Sequence, residues 1–220
     1  MNKVVAQPIR NIVERIKVIA EGMGLDHRIG RAFLDAGIGY GGSCLPKDVK
    51  AFIKIAEEFN LDFSLLRAVD AINQHRIDVF MNKVRSALWI IKGKVIGILG
   101  LSFKPNTDDI REAPSIKVIE RLLHEGAHMK LYDPRAMSNM KALFPPSERI
   151  EYANDAYEAV RDAHALLVLT EWDEFAQLDL KRVRELMATP IIVDGRNVFD
   201  PKRVRAQGFE YYCIGRATSS

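Results

Sequence analysis

Apolar positions follow two different spacings along this chain, and the change comes at Lys92-Gly93-Lys94. Before that tripeptide the period is helical. Ile12, Val13, Ile16, Ile19 and Ala20 mark one amphipathic helix, which Gly22 and Gly24 are expected to end. Val49, Phe52, Ile53, Ile55 and Ala56 mark a second, running to about Phe59 and stopped at Asn60. Leu65, Val69, Ile72, Val79, Phe80, Val84 and Leu88 then hold the period for about six turns, with Asn73, Gln74 and Arg76 on the other side. A helix that long is expected to span two domains.

After the tripeptide, short apolar stretches at 95–99, 165–169 and 191–193 read as buried parallel strands, and 129–132 reads as a further strand closed by Asp133-Pro134. Helical patterns at 116–123, 155–162 and 180–187 alternate with them, the first closed by Gly126. The expected fold is therefore α/β. A helical linker or dimerisation region, residues 1–91, precedes a doubly wound, mostly parallel Rossmann-like sheet, residues 92–220. In such sheets ligands gather at the carboxyl ends of the strands.

Composition narrows the classes without choosing among them. Of 220 residues, 48% are hydrophobic and 28% charged, which suits a globular protein able to bury a core. Net charge is only +3 and the basic residues are interleaved with acids, so no nucleic-acid stripe emerges. No apolar run approaches the ~20 residues that cross a bilayer. Cys44 and Cys213 lie far apart and suggest reduced thiols in a cytoplasmic compartment. No metal-ligand pair of cysteines or histidines is spaced for coordination, and none of the five histidines is assigned a role.

Candidate chemistry concentrates at 37–48, Gly-Ile-Gly-Tyr-Gly-Gly-Ser-Cys-Leu-Pro-Lys-Asp. Such a density of glycine lets a backbone turn sharply and approach a ligand. Ser43 is placed to cap a helix with Pro46 in its first turn, so the Cys44 sulfur would lie near free N–H groups and the positive end of a helix dipole. That setting favours the thiolate, which is the nucleophile. Lys47 adds a positive charge, and Asp48 follows one helical turn after the cysteine. Cys44 also reads as a small buried hydrophobe. That reading leaves the glycines, the proline and both charges unexplained.

Two further polar signals stand at strand ends. The loop 100–112 carries Lys104 and Arg111 but no Gly-x-Gly-x-x-Gly fingerprint, and on spacing alone these are two exposed basic side chains beside Asp108, Asp109 and Glu112. The turn Asp194-Gly195-Arg196 can offer a fork of donors to a phosphate or sugar hydroxyl. Glu171-Trp172-Asp173 reads as a helix cap, and Cys213 as a core residue.

At 39–48 the sequence resembles the active-site segment of the UDP-glucose 6-dehydrogenases, within the nucleotide-sugar dehydrogenase family. Asp-His-Arg-Ile-Gly at 26–30, Phe-Leu-Asp-Ala-Gly at 33–37, the whole of 100–112, Thr-Glu-Trp-Asp-Glu-Phe at 170–175 and Asp-Gly-Arg-Asn at 194–197 resemble that family in its order. The resemblance covers only the C-terminal half of a family member. It implies Cys44 as nucleophile and Asp48 as the residue that positions or deprotonates water. It implies sugar-nucleotide contacts from Phe33, Leu34, Asp35, Ala36, Gly37, Tyr40, Gly41, Lys104 and Arg196, and from Arg28 across a dimer interface. Lys47 and Arg111 would reach toward NAD. Arg28 reads equally as a solvated surface arginine.

Further partners implied are a UDP-sugar, a second copy joined through the central helices, and a separate NAD-binding half. The family's upstream lysine and asparagine are not matched by Lys3 or Asn11. The chain by itself is therefore expected not to sustain turnover, for want of a positioned nicotinamide. A catalytically silent nucleotide-sugar-binding or dimerisation subunit, or a GDP-mannose relative, stays open at this point.

Overall fold

The computed structural model describes residues 18–215. Helix α1 covers residues 18–24, continuing through Gly22 to Gly24, so Gly22 does not end it; open space surrounds Gly22. Its expected beginning at 11–17, with Asn11, and Lys3 before it, lie outside the described residues. Helix α2 (Leu45–Glu58) has Pro46 in its first turn, where the missing N–H costs nothing, and Asp48 there complements the dipole. It stops at Phe59 and at Asn60, whose φ of 53° leaves the helical region.

Helix α3 (Ser64–Leu88) changes character along its length. Leu65, Val69 and Ile72 are exposed or nearly so, while Ile77, Phe80, Met81, Val84, Ala87 and Leu88 are buried. The buried half joins one hydrophobic cluster with the strands that follow. Lys92, Gly93 and Lys94 make the turn, and the sheet begins.

Six strands, β1 (Val95–Leu99), β2 (His128–Tyr132), β3 (Ile150–Tyr152), β4 (Ala165–Val168), β5 (Ile191–Asp194) and β6 (Glu210–Cys213), form one parallel sheet in the order β3-β2-β1-β4-β5-β6. Between them run α4 (Pro114–His124), α5 (Met137–Leu143), α6 (Ala156–Val160), α7 (Asp173–Ala176), α8 (Leu180–Leu186) and α9 (Pro201–Ala206). Two clusters cover its faces. One joins α3, α4 and α5 to alternate strand positions such as Ile96, Ile98, Leu131 and Val193; the other joins α6 to α9 to Leu99, Leu166, Val168 and Ile192. Burial on both faces explains why the central strands β1, β4 and β5 read as apolar runs, while β2 alternates buried and more open positions. Chain order reverses between β1 and β4, and the crevice outside their carboxyl ends is where open sheets of this kind bind ligands.

Candidate functional site

Ile38 fixes the glycine-rich loop. It is fully buried in the same cluster as Phe80, and a Cβ added at Gly195, just past β5, would meet its side chain at 2.8 Å. The Gly42 N–H donates to the Arg111 carbonyl at 2.8 Å. Gly42 has φ +88°, and a Cβ there would stand 2.7 Å from the Phe103 ring, so another residue would be strained in its backbone and would have to push the ring aside. A Cβ at Gly37 would stand 2.6 Å from Arg196 Nη1. Segments 37–42, 103–112 and 194–196, far apart in sequence, thus meet at one place.

Cys44 follows directly and is exposed. It occupies the N-cap position of α2 with φ −95° and ψ −67°, already helical, and no side chain caps this end. The expected cap by Ser43 is therefore corrected: Ser43 stands one residue too early, and its Oγ lies 3.6 Å from Cys44 Sγ instead. Asp48 is one turn along, its N–H donating to the Cys44 carbonyl at 2.8 Å, and its carboxylate pairs with Lys47 Nζ at 3.3 Å.

Arg111 is chelated by Asp109, through Nε at 3.0 Å and Nη2 at 2.7 Å. That hydrogen bond raises the arginine above its ordinary value. The same pairing holds Asp109 below the usual carboxylate range. Lys104 leaves its Nζ 5.3 Å from the Phe103 ring centroid. Arg196 is half-buried, and its Nε and Nη2 each lie 2.5 Å from a different Glu171 oxygen, which leaves Nη1 on the Gly37 side.

Behind these side chains sit two buried carboxylates. Asp133, 1% exposed, accepts through Oδ2 from Leu101 N (2.7 Å), Ser102 N (3.1 Å), Ser102 Oγ (3.2 Å) and Trp172 Nε1 (3.2 Å). Its Oδ1 accepts from Arg135 N and Ala136 N. Asp133 thereby ties the loops after β1, β2 and β4 together. Asp194 accepts from Arg196 N, Phe199 N and the Tyr211 hydroxyl. Burial pushes its carboxyl up, against those hydrogen bonds.

Not every expected residue joins this cluster. Arg28, with its side chain 78% exposed, folds back on Asp26 at 2.6 Å. Phe33 is 85% exposed, Asp35 pairs with Arg31 at 2.6 Å, Ala36 is exposed, and Leu34 is half-buried. Tyr40 is partly buried on the loop itself, beside the buried Gly41. Asp133 is a site residue the sequence did not single out, and Glu171 stood out only within the 170–175 segment, with no partner assigned. Their only signals were an Asp-Pro after a strand and a glutamate taken for part of a cap.

The turn after β1 does not fit the pyrophosphate of NAD. The Leu101 and Ser102 N–H groups that would face a phosphate are taken by Asp133, and Gly100 is pressed against Thr170. Among the described residues no cluster of histidine, cysteine, aspartate and glutamate could hold a metal, and no helix is long and apolar enough to cross a membrane.

An open, doubly wound parallel sheet with basic groups at its carboxyl end, preceded by a helical segment that carries an exposed cysteine, defines a Rossmann-like α/β protein. Its relatives give that class a family. The UDP-binding domain of the UDP-glucose/GDP-mannose dehydrogenase family matches residues 97–201, and the central domain of that family matches 5–75. The chain belongs to the UDP-glucose/GDP-mannose dehydrogenase family. It is 43% identical over 212 residues to UDP-glucose 6-dehydrogenase TuaD of Bacillus subtilis, covering 94% of this chain and 46% of the relative. It is 42% identical to UDP-glucose 6-dehydrogenase of Rhizobium meliloti, covering 96% and 48%. A solved UDP-glucose dehydrogenase from Pyrobaculum islandicum superposes with a TM-score of 0.77 at 33% identity, over 90% of this chain and 43% of that one. The chain spans about half the length of the relatives it matches.

Proposed function

We propose that this chain is the sugar-nucleotide-binding, thiol-bearing portion of a UDP-glucose 6-dehydrogenase. The whole reaction takes UDP-glucose, two NAD and water to UDP-glucuronate and two NADH. The observation that supports this reading is the meeting of the Cys44 loop, at Gly42 and Gly37, with the Arg111 backbone and with Arg196, since arginine forks suit a diphosphate sugar.

In this reading Lys104 and Arg196 bind the sugar nucleotide, the backbone of 33–41 closes over it, and Arg28 serves a neighbouring copy. The Cys44 thiolate adds its electron pair to the carbonyl carbon of a C6 aldehyde. A C–S bond forms, and the carbonyl oxygen takes a proton to give a thiohemiacetal. Loss of a hydride from that carbon, which would pass to NAD, and of the hydroxyl proton turns the thiohemiacetal into a thioester; water then attacks the same carbon, the C–S bond breaks, and the thiol is restored as the acid leaves. Asp48 is the residue assigned to orient that water. NAD is the acceptor of the electron pairs, and its seat is not built from the described residues. Lys47 and Arg111 would meet it only at an edge.

Thermal denaturation of the chain with UDP-glucuronate tests the binding half of this proposal. At about 100 times Kd a ligand stabilises by about 2.7 kcal/mol, roughly 5–10 °C for a chain this size. NAD at the same concentration is expected to give no shift. Absence of any shift with UDP-glucuronate would refute the reading.

A further inference from the structure

We infer that Asn73, on the long helix α3, is the positioning residue that seats the glycine-rich loop, and with it Cys44, on the sheet. The inference deepens the proposed function and rests on that reading of the loop. The Asn73 amide makes a two-point clamp on the main chain of Tyr40: the Tyr40 N–H donates to Oδ1 at 2.8 Å, and Nδ2 donates to the Tyr40 carbonyl at 3.1 Å. Thirty-three residues separate the partners, so the clamp joins two elements that nothing local would align.

Three observations make this more than an incidental pair. Tyr40 Oη is buried without a hydrogen-bond partner among the described residues, so this part of the loop is held through its backbone. Gly39 has φ +112°, and a Cβ there would stand 2.7 Å from Asn73 Oδ1; the loop leaves out a side chain where the amide presses in. Arg76, on the same side of α3, extends the contact with Nε 3.4 Å from the Gly37 carbonyl.

Asn73 is also well anchored. It stands one turn before Ile77, the first residue of α3 that is buried in the sheet's core, so the amide is carried by a helix already locked in place. Two residues beyond Tyr40, the Gly42 N–H donates to the Arg111 carbonyl, and Cys44 follows. Asn73 touches neither Gly42 nor Cys44. Its effect on them passes through the loop, which is what separates a positioning role from a local hydrogen bond.

Amide hydrogen exchange on the full chain, wild type against Asn73→Ala and Asn73→Asp, tests this. Exchange at Gly42 is expected to quicken at least tenfold in both variants, while amides in β1 and β4 keep their wild-type rates. Unchanged exchange at Gly42 overturns the inference, and so does an equal quickening of the strands, which would make Asn73 a general stabiliser. If Asn73→Ala does not fold, Asn73→Asp decides, since it keeps the shape and one acceptor but sets a carboxylate oxygen against the Tyr40 carbonyl. UDP-glucuronate affinity is expected to fall at least fivefold in the same variants, and an unchanged affinity also counts against the clamp. Should wild type fail to bind UDP-glucuronate at all, the proposed function fails and the Gly42 exchange still judges Asn73.

Discussion

At the carboxyl end of the sheet, Asp133 and Asp194 are almost fully buried acceptors that gather donors from neighbouring loops, whereas the Cys44 loop has no buried charge and is held by main-chain contacts against foreign surfaces. The two sides of the candidate site are thus kept in place by opposite means. A buried carboxylate with every lone pair engaged is rigid but intolerant, because removing it orphans several donors at once. A glycine loop lying on other elements is cheaper to move. The ligand-binding frame and the thiol are expected to fail separately under mutation.

The largest effect should come from breaking the frame. Asp133→Ala leaves the Leu101, Ser102, Arg135 and Ala136 amides and the Trp172 indole without their acceptor. A loss of about 3–5 kcal/mol is expected in urea denaturation, several orphaned buried donors costing about 1–3 each without full additivity. Gly42→Ala attacks the other side: the positive φ and the Phe103 ring are expected to cost about 1–3 kcal/mol, with UDP-glucuronate affinity falling further than stability does. If both variants lost binding and stability in the same proportion, the contrast drawn here would be wrong.

A finer test is Glu171→Gln, which keeps the shape but removes the charge that holds the Nε/Nη2 edge of Arg196. Titration calorimetry should show UDP-glucuronate affinity weakened about 5–10-fold, about 1–1.4 kcal/mol, with little change in unfolding. The smallest effect concerns Asp109. Its folded value is depressed by Arg111, so its contribution is present above the ordinary carboxylate value near ~3.9 and lost as pH falls through the lower folded value. Below about pH 4 wild type should lose stability slightly more steeply than Asp109→Asn, as read from denaturation midpoints against pH.

The sheet was legible at its centre because β1, β4 and β5 are buried on both faces and stand out as apolar runs, while β2 showed only as an alternating strand before Asp133-Pro134. Helix α3 was legible from its period. Shorter pieces were not: α5 has seven residues and β3 three, too few for a period to register. Helix α6 came out shorter than the pattern at 155–162, because Asp155 caps it and Asp162 turns away at φ 60°. Within the site, cysteine and glycines announced themselves by type. What the glycines touch did not, since Phe103, Asn73 and Arg196 reach them only in three dimensions. Glu171 and Asp133 resembled capping and turn residues, because a carboxylate's partners are set by the fold around it.

The rate at which iodoacetamide alkylates Cys44, with and without saturating UDP-glucuronate, tests most directly whether loop and sheet form one site. The ligand is expected to slow alkylation at least tenfold, and Lys104→Ala with Arg196→Ala to abolish the protection while leaving the ligand-free rate in place. An alkylation rate indifferent to UDP-glucuronate, under conditions where calorimetry shows the ligand bound, would contradict a single site.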